Sequence, residues 1–170
     1  MALRVNTANL HPSTEACLEA MQALHAIRDF HNILEIGCGN GILSAVAAHI
    51  WTGKILAADI SPKAVEDTIK TTLAYGLQER IETVRSEGFS HLHIRQQAPY
   101  DLIICNLLAD IQIRIAIEIK LYLTDNGFAI LSGILEWRVA EVEQIFAGMG
   151  WRIVSKILHS PWVAYTLTSH

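Results

Sequence analysis

The chain has 170 residues, of which 51% are hydrophobic and 18% charged, and its formal net charge is −4. This composition excludes a disordered chain and predicts a single folded domain over residues 1–170, while the 13 basic residues form no run and so argue against a nucleic-acid partner. Because the sequence has no leader peptide, no apolar stretch of about 20 residues and no Cys-x-x-Cys pair, we expect a cytoplasmic protein with no membrane partner.

Apolar residues at helical spacing predict a first helix that begins at Pro12-Ser13-Thr14 and continues to about Asp29. Apolar segments bounded by turn residues predict strands at Ile33–Ile36, Ile55–Ala58, Ile81–Arg85, Leu102–Cys105 and Phe128–Leu131. Helices are predicted at about 42–50 and 62–76, and helical or loop segments at about 108–123 and 136–149. Two last strands, at 151–158 and 163–167, are joined by so short a link that they must form an antiparallel hairpin. Repeated strand and helix predict an α/β protein with a mostly parallel sheet.

A glycine-rich loop joins the first strand to the second helix. Residues 35–41 read Glu-Ile-Gly-Cys-Gly-Asn-Gly, so that an acid, Glu35, is followed by Gly37, Gly39 and Gly41. Glycines at alternate positions let the backbone turn tightly and approach a ligand closely, and the helix that follows directs its free N–H groups to the same place. The pattern predicts a nucleotide-cofactor loop in which these four residues bind the cofactor.

The spacing of the loop indicates which cofactor it suits. A dinucleotide fingerprint requires glycine at the position that Ile42 occupies, and a phosphate-binding P-loop requires Gly-Lys-Ser/Thr, yet no Lys or Arg occurs between Arg28 and Lys54. An acid and three glycines without a nearby cation suit a ligand that itself carries positive charge, as the sulfonium and ammonium groups of S-adenosylmethionine do. We therefore expect S-adenosyl-L-methionine as the cofactor; the alternative is an ordinary turn.

Two acids stand where predicted strands end. Asp59 ends the second strand, where its carboxylate can accept hydrogen bonds from both hydroxyls of a ribose; alternatively, it caps the next helix. Glu87 follows the third strand and is placed to accept a hydrogen bond from an adenine amine; alternatively, it is a solvated loop acid. We predict that both bind the cofactor.

Asn106 emerges from the fourth strand at the carboxyl edge of the sheet, where open parallel sheets bind their ligands. Its carboxamide is a polar acceptor beside the apolar Leu107 and Leu108, or alternatively belongs to a simple turn. Methyl transfer to a neutral nitrogen depends mostly on positioning, and a carboxamide oxygen can orient the N–H bonds of an amine. We therefore predict Asn106 as a catalytic residue, with Asp110 either a second acceptor or a helix-start residue.

The sequence gives no pattern for a metal site. His91 and His93 alternate as ligands on a strand would, but no third ligand at a recognisable spacing accompanies them. We interpret them as surface histidines and expect no metal cofactor.

Four segments of the chain resemble the family of methyltransferases that modify ribosomal protein L11. They are His-Pro-Ser-Thr-Glu-Ala-Cys-Leu-Glu at 11–19, the glycine loop with its helix start at 35–44, Asn-Leu-Leu-Ala-Asp at 106–110 and Leu-Ser-Gly-Ile-Leu at 131–135. The glycine motif alone indicates only the broad class of S-adenosylmethionine-dependent methyltransferases, whereas the other three segments in this order are more specific. The likeness runs from about residue 10 to the end of the chain.

The resemblance implies the doubly wound, seven-stranded, mostly parallel fold of the class I methyltransferases, with the last strand pair antiparallel. It also implies cofactor contacts at Thr14, Gly37, Asp59 and Asn106. Three of these coincide with positions argued above from the residues themselves, while the assignment of Thr14 depends on the resemblance alone.

Two departures from the family concern the substrate. Family members carry an N-terminal domain that grips the ribosomal protein, whereas this chain begins about ten residues before His11. The family also has Phe-Gly-Thr-Gly just before that histidine, where this chain has Thr-Ala-Asn-Leu at 7–10. We therefore expect the cofactor and the reaction to carry over better than the substrate.

These observations predict a methyltransferase that acts on a protein amine, with a ribosomal protein as the candidate partner, and they set no oligomeric state. One alternative is an RNA base methyltransferase, for which Asn-Pro-Pro followed by an aromatic residue is expected, but here Leu107 and Leu108 replace the prolines and no aromatic residue follows. A second is a cofactor-binding domain without catalysis. A third is a nicotinamide-linked oxidoreductase, against which Ile42 argues.

Overall fold

The computed structural model describes residues 9–169, and over that range seven strands alternate with six α-helices. The helices are α1 (Pro12–His25), α2 (Ile42–Ile50), α3 (Pro62–Ala74), α4 (Leu92–Gln97), α5 (Ala109–Tyr122) and α6 (Val139–Gly148). The strands are β1 (Asn32–Ile36), β2 (Lys54–Asp59), β3 (Ile81–Arg85), β4 (Tyr100–Asn106), β5 (Leu123–Leu135), β6 (Arg152–His159) and β7 (Trp162–Thr168). A 3₁₀ turn, Glu136–Arg138, joins β5 to α6. The departure predicted at Thr7 and Ala8 lies outside the described residues.

The strands form one sheet in the order β3-β2-β1-β4-β5-β7-β6. The first five are parallel, and β7 runs antiparallel to both β5 and β6. This confirms the doubly wound, seven-stranded fold and the C-terminal hairpin predicted from the sequence. From β1 the chain adds β2 and β3 on one side of the sheet, and it then crosses back to add β4 and β5 on the other side. Because the direction reverses there, the connections that follow β1 and β4 diverge and open a crevice at the carboxyl edge.

Two apolar layers sandwich the sheet, since its central strands carry buried residues on both faces. On β1, Leu34 packs into the layer of α4, α5 and α6, whereas Ile33 packs into the layer of α1 and α2. Ile103 and Ile104 on β4 divide in the same way. A near-continuous apolar strand therefore has both faces covered, as a parallel sheet requires.

Several boundaries differ from the sequence prediction, among them the end of the first helix and both ends of β5, which continues to Leu135. The first helix ends at His25 and not at Asp29, because the Asp29 carboxylate accepts hydrogen bonds from the backbone N–H groups of Phe30 and Thr52 and so holds the turn before β1. Strand β5 begins at Leu123, before the predicted Phe128, since Leu123 already pairs with Tyr100 ahead of an irregularity in the ladder.

The sequence prediction missed α4, whose six residues are too few to show helical periodicity. His91 is the N-cap of this helix and accepts a hydrogen bond from the backbone N–H of His93, while the His93 ring lies 3.0 Å from a carboxylate oxygen of Glu82. The two histidines thus begin a helix and do not alternate on a strand. Within residues 9–169, no three His, Cys, Asp or Glu side chains are grouped as a metal ion would need, and no helix has the length and apolar character to cross a membrane.

Candidate active site

The glycine loop lies at the carboxyl end of β1, as predicted, and turns sharply into α2. Gly37, Gly39 and Gly41 all have positive φ angles, of 78°, 56° and 77°. The N–H groups of Gly37 and Cys38 both donate to the Ala58 carbonyl of β2, at 2.8 and 3.0 Å. The loop is therefore fixed to the ends of two adjacent strands and presents its backbone to the crevice.

Asp59 holds the glycine loop against the start of α3. One oxygen of its carboxylate accepts a hydrogen bond from the Gly39 N–H at 3.0 Å, and the other accepts from the N–H of Ser61, the N-cap of α3, at 2.9 Å. A carboxylate has about four acceptor sites, so about two remain for a ligand. The capping alternative and the ligand-binding role predicted for Asp59 are thus compatible.

A cavity of about 570 Å³ opens beside Asp59, between the glycine loop and α5. Its polar part comes from Asp59, Ser86 and Glu87 and, on α5, from Arg114 and Glu118, and its apolar part includes Ile60, Leu107 and Ile111. A mostly apolar cleft of this size with a few converging polar groups is typical of a small-molecule site. The predicted positions Gly37, Asp59 and Glu87 are therefore brought together around one space.

Sequence reasoning missed the apolar walls of this cavity. Ile60 is 57% exposed directly after Asp59, and an apolar residue following a strand-end acid was the available signal. Ile111 and Ile115 lie four positions apart on α5 and so share one helix face. Their signal was obscured because isoleucine recurs at every second position from 111 to 119, which is the period of a strand.

Glu35 lies beneath the loop and not on its surface. Its side chain is only 1% exposed and accepts a hydrogen bond from the Ser44 hydroxyl of α2. Burial raises the pKa of this carboxyl to about 8, although the bond from Ser44 opposes the shift. The first acid of the motif is therefore mainly uncharged at neutral pH in the free chain.

Asn106 ends β4, and its carboxamide is held by α1. The Asn106 Nδ2 group donates a hydrogen bond of 3.1 Å to the hydroxyl of the buried Thr14, which fixes the amide and leaves its oxygen available as an acceptor. Gly133 lies beside it on β5 with φ +89°, and a Cβ there would lie 3.1 Å from the Asn106 oxygen and 2.5 Å from the Leu107 carbonyl oxygen. Glycine is thus required at 133 on both conformational and steric grounds.

Gln112, which sequence reasoning also missed, ties the ends of β4 and β5 together from α5. The side chain is fully buried, and its Nε2 group donates hydrogen bonds to the carbonyls of Leu107 and Ser132. Ser132 in turn donates to the Ser13 carbonyl of α1 at 2.6 Å. The sequence offered only one signal, a glutamine within an isoleucine-rich segment.

The 3₁₀ turn after β5 contacts both the start of α5 and the β6–β7 link. Asp110, in the first turn of α5, forms an ion pair of 2.5 Å with Arg138 of the 3₁₀ turn. Within the same turn, the Glu136 N–H donates to the carbonyl of Pro161 in the β6–β7 link, and the next residue, Trp162, contacts the His11 ring edge-on with 5.0 Å between centroids. The predicted acceptor Asp110 is therefore exposed but paired with a cation.

Comparisons with known proteins place this architecture in a family. The sequence profile described as "Ribosomal protein L11 methyltransferase (PrmA)" matches residues 8–170. A ribosomal protein L11 methyltransferase of Brucella abortus (strain S19) is 34% identical over 158 residues, which are 93% of this chain and 55% of that protein. One from Rhizobium leguminosarum bv. trifolii is 33% identical over 90% of this chain and 52% of that protein. The chain spans about half the length of these curated relatives.

Solved structures share the fold. A ribosomal protein L11 methylase from Lactobacillus delbrueckii subsp. bulgaricus has a TM-score of 0.86 at 21% identity, covering 98% of this chain and 84% of that chain. The neocarzinostatin-pathway O-methyltransferase NcsB1, in complex with S-adenosylmethionine, has a TM-score of 0.67 at 13% identity, covering 93% of this chain and 56% of that chain. With the profile match over nearly its whole length and relatives above 30% identity, the chain belongs to the ribosomal protein L11 methyltransferase (PrmA) family.

Proposed function

We propose that this chain binds S-adenosylmethionine in the crevice at the carboxyl edge of the sheet and transfers its methyl group to an amine of a protein. The observation that carries the proposal is the convergence of Gly37, the Asp59 carboxylate and Glu87 around an open cavity at this edge. The Asn106–Thr14 pair lies at the same edge, at the end of the adjacent strand β4. Family membership and a SAM-bound neighbour of the same fold support the choice of cofactor.

The residues present fit this cofactor in charge and shape. We assign the ribose hydroxyls to Asp59 and the adenine amine to Glu87, since both residues line the cavity. Ile60 and Ile111 supply apolar walls for a purine ring. The glycine loop, including Gly37, Gly39 and Gly41, lets the ligand approach the backbone closely, and Thr14 and Asn106 bound the far end of the site.

Glu35 acts on the cofactor from below the loop. It is buried and mainly uncharged in the free chain, and a cation above the loop would favour its ionised form. Its contribution is therefore electrostatic and does not require direct contact with the ligand.

The cofactor, when bound, supplies an electrophilic methyl group on a sulfonium. The chain's own part is to bind the amine in its neutral form and orient its lone pair. The Asn106 oxygen accepts a hydrogen bond from one N–H group of the amine, and Thr14 keeps the Asn106 carboxamide from rotating. Because a free lysine amine has a pKa of about 10.4, apolar surroundings such as Leu107 assist by disfavouring its protonated form. Asp110 assists as a second acceptor through the carboxylate that Arg138 holds in place.

The substrate follows from the relatives. Those proteins are named for ribosomal protein L11, and we propose the same protein, or another ribosomal protein, as the substrate of this chain. A cytoplasmic location agrees with this proposal and with Cys17, Cys38 and Cys105, which are buried and form no disulfide.

A calorimetric titration with S-adenosylhomocysteine tests the cofactor assignment, with NAD as the competing dinucleotide. We expect binding of S-adenosylhomocysteine alone, weakened at least tenfold in Asp59→Ala by loss of hydrogen bonds to the ribose. Asp125→Ala makes the same change at an exposed position on the first part of β5 and should bind as the unaltered chain does. Binding of NAD, or equal affinities of the two variants, would contradict the assignment.

A further inference from the structure

Two large apolar side chains are exposed beside the end of β4 and have no role in the account above. Leu108 follows Asn106 by two positions and is 59% exposed, and Trp137 in the 3₁₀ turn is 76% exposed. Both lie at the carboxyl edge, because Asp110 two positions after Leu108 is ion-paired with Arg138, which directly follows Trp137. We call Leu108 and Trp137 the apolar lip.

Leucine is a poor choice for the position that Leu108 occupies. It is the N-cap of α5 and makes no capping hydrogen bond, whereas Ser, Thr, Asp or Asn there would satisfy one of the free N–H groups of the first turn. The chain therefore gives up helix stability to display an apolar side chain next to Asn106. Departures from a local rule of this kind are expected where a residue serves binding.

Trp137 is exposed, and a cation lies beside its ring. The Arg138 guanidinium lies 5.9 Å from the centroid of the indole ring and is itself bound by the carboxylates of Asp110 and Glu141. Of the other tryptophans in the described chain, Trp51 and Trp151 are buried and Trp162 is half-buried. A tryptophan side chain offers a large apolar contact area and loses little conformational freedom when a partner packs on it, because it has only two side-chain torsions.

The charges around the lip indicate its partner. Asp110, Glu136 and Glu141 are exposed acids, and Arg138 is the one cation among the residues 136–141 and 108–110. We propose that the apolar lip binds an apolar side chain adjacent to the reacting amine in a polypeptide substrate, and that the surrounding acids favour basic residues next to it. This proposal rests on the proposed function, since it takes Asn106 as the place where the amine binds.

Two peptides test the lip. Both carry a primary amine and basic flanking residues, and they differ only in having Phe or Ser next to the amine-bearing residue. Their affinities are measured by fluorescence anisotropy, with and without S-adenosylhomocysteine. We expect the unaltered chain to prefer the Phe peptide about tenfold, which corresponds to about 1.4 kcal/mol. Trp137→Ala should reduce the preference to less than about threefold, and Trp137→Phe should retain most of it.

Leu108→Ser gives the sharper test, because it separates binding from folding. The serine can cap α5, so the melting temperature should rise while the preference for the Phe peptide falls. Leu121→Ser is the matched control: Leu121 is 74% exposed near the other end of α5, and its substitution should leave the preference unchanged.

Failure of the lip and failure of the proposed function give different results. The proposed role of the apolar lip is overturned if the unaltered chain shows no preference, which includes the case in which it binds neither peptide. It is also overturned if Trp137→Ala and Leu108→Ser both retain the preference. Both conclusions hold even when S-adenosylhomocysteine binds. Absence of S-adenosylhomocysteine binding overturns the proposed function. The peptide preference is measured separately, in the titration that contains no S-adenosylhomocysteine.

Discussion

Asn106 donates a hydrogen bond of 3.1 Å to Thr14, a residue 92 positions earlier in the chain. The bond joins the carboxyl end of a central strand to the first turn of α1, and it occupies the nitrogen of the carboxamide. Because the nitrogen is occupied by Thr14, the oxygen is the atom left to accept a hydrogen bond from a substrate amine. The proposed catalytic geometry therefore depends on a contact between two distant segments.

Thr14→Val should slow methyl transfer more than it weakens cofactor binding. Valine keeps the volume and branching of threonine but removes the acceptor for the Asn106 amide, so the amide can rotate away from its working orientation. We expect kcat to fall about tenfold, the usual cost of about 1.4 kcal/mol for one neutral hydrogen bond in positioning. Thr14→Ser retains the hydroxyl and should restore most of the rate. Equal activity of the Val and Ser variants would show that the contact does not orient Asn106.

Gln112→Leu should destabilise the fold by about 1–3 kcal/mol, because it removes the side-chain donor to the carbonyls of Leu107 and Ser132, of which that of Ser132 keeps the bond from the Leu107 N–H. Urea denaturation measures this loss. Gln112 also positions the segment that carries Asn106, so kcat should fall while the affinity for S-adenosylhomocysteine changes little. A loss of stability with unchanged kcat would limit Gln112 to a structural role.

Glu35 should make the stability of the chain depend on pH. Its pKa rises from 4.5 to about 8 on folding, so between these values the folded chain binds more protons at this site than the unfolded chain does. The free energy of folding that the protonated Glu35 contributes is fully present below pH 4.5 and is lost as the pH rises through about 8. The loss of stability is at most about 5 kcal/mol.

Glu35→Gln removes this titration, so the stability of the variant relative to the unaltered chain should increase from pH 5 to pH 8. Urea denaturation at several pH values gives the difference directly. Glu66→Gln makes the same change at an exposed position on α3 and should run parallel to the unaltered chain. Parallel curves for Glu35→Gln would mean that Glu35 is ionised in the folded chain.

Gly133→Ala should cost about 3 kcal/mol or more, since the new Cβ combines a positive φ with a distance of 2.5 Å to the Leu107 carbonyl oxygen. Gly148→Ala is the control at the end of α6, where a Cβ meets no atom within 4 Å and alanine should be neutral or slightly stabilising. Thermal denaturation of both variants checks the contrast. Similar melting temperatures would show that the backbone at 133 adapts.

The parts of the site that the sequence could predict are those with local signals. Asp59 and Asn106 each follow an apolar strand, and Gly37, Gly39 and Gly41 form a turn that their spacing alone indicates. A parallel sheet then brings these strand ends to one edge, so their proximity follows from the alternation of strands and helices.

What could not be predicted depends on tertiary contacts. Thr14 contacts Asn106 only because α1 packs across the end of β4, and no pattern near either residue indicates this pairing. Gln112 lies in a helix whose isoleucines alternate as in a strand, so neither its helical face nor its burial could be read. The burial of Glu35 could not be predicted either, because an acid before a glycine loop can place its carboxyl group at the surface or in the interior.

The most direct test of the account is methyl transfer by Asn106→Ala. The chain is incubated with S-adenosylmethionine labelled on its methyl group and with ribosomal protein L11 or a mixture of ribosomal proteins, and the label on protein is followed alongside calorimetric binding of S-adenosylhomocysteine. We expect labelling by the unaltered chain and a loss of at least about 100-fold in Asn106→Ala, with a much smaller change in S-adenosylhomocysteine affinity. Undiminished labelling by Asn106→Ala, with cofactor binding intact, would contradict it.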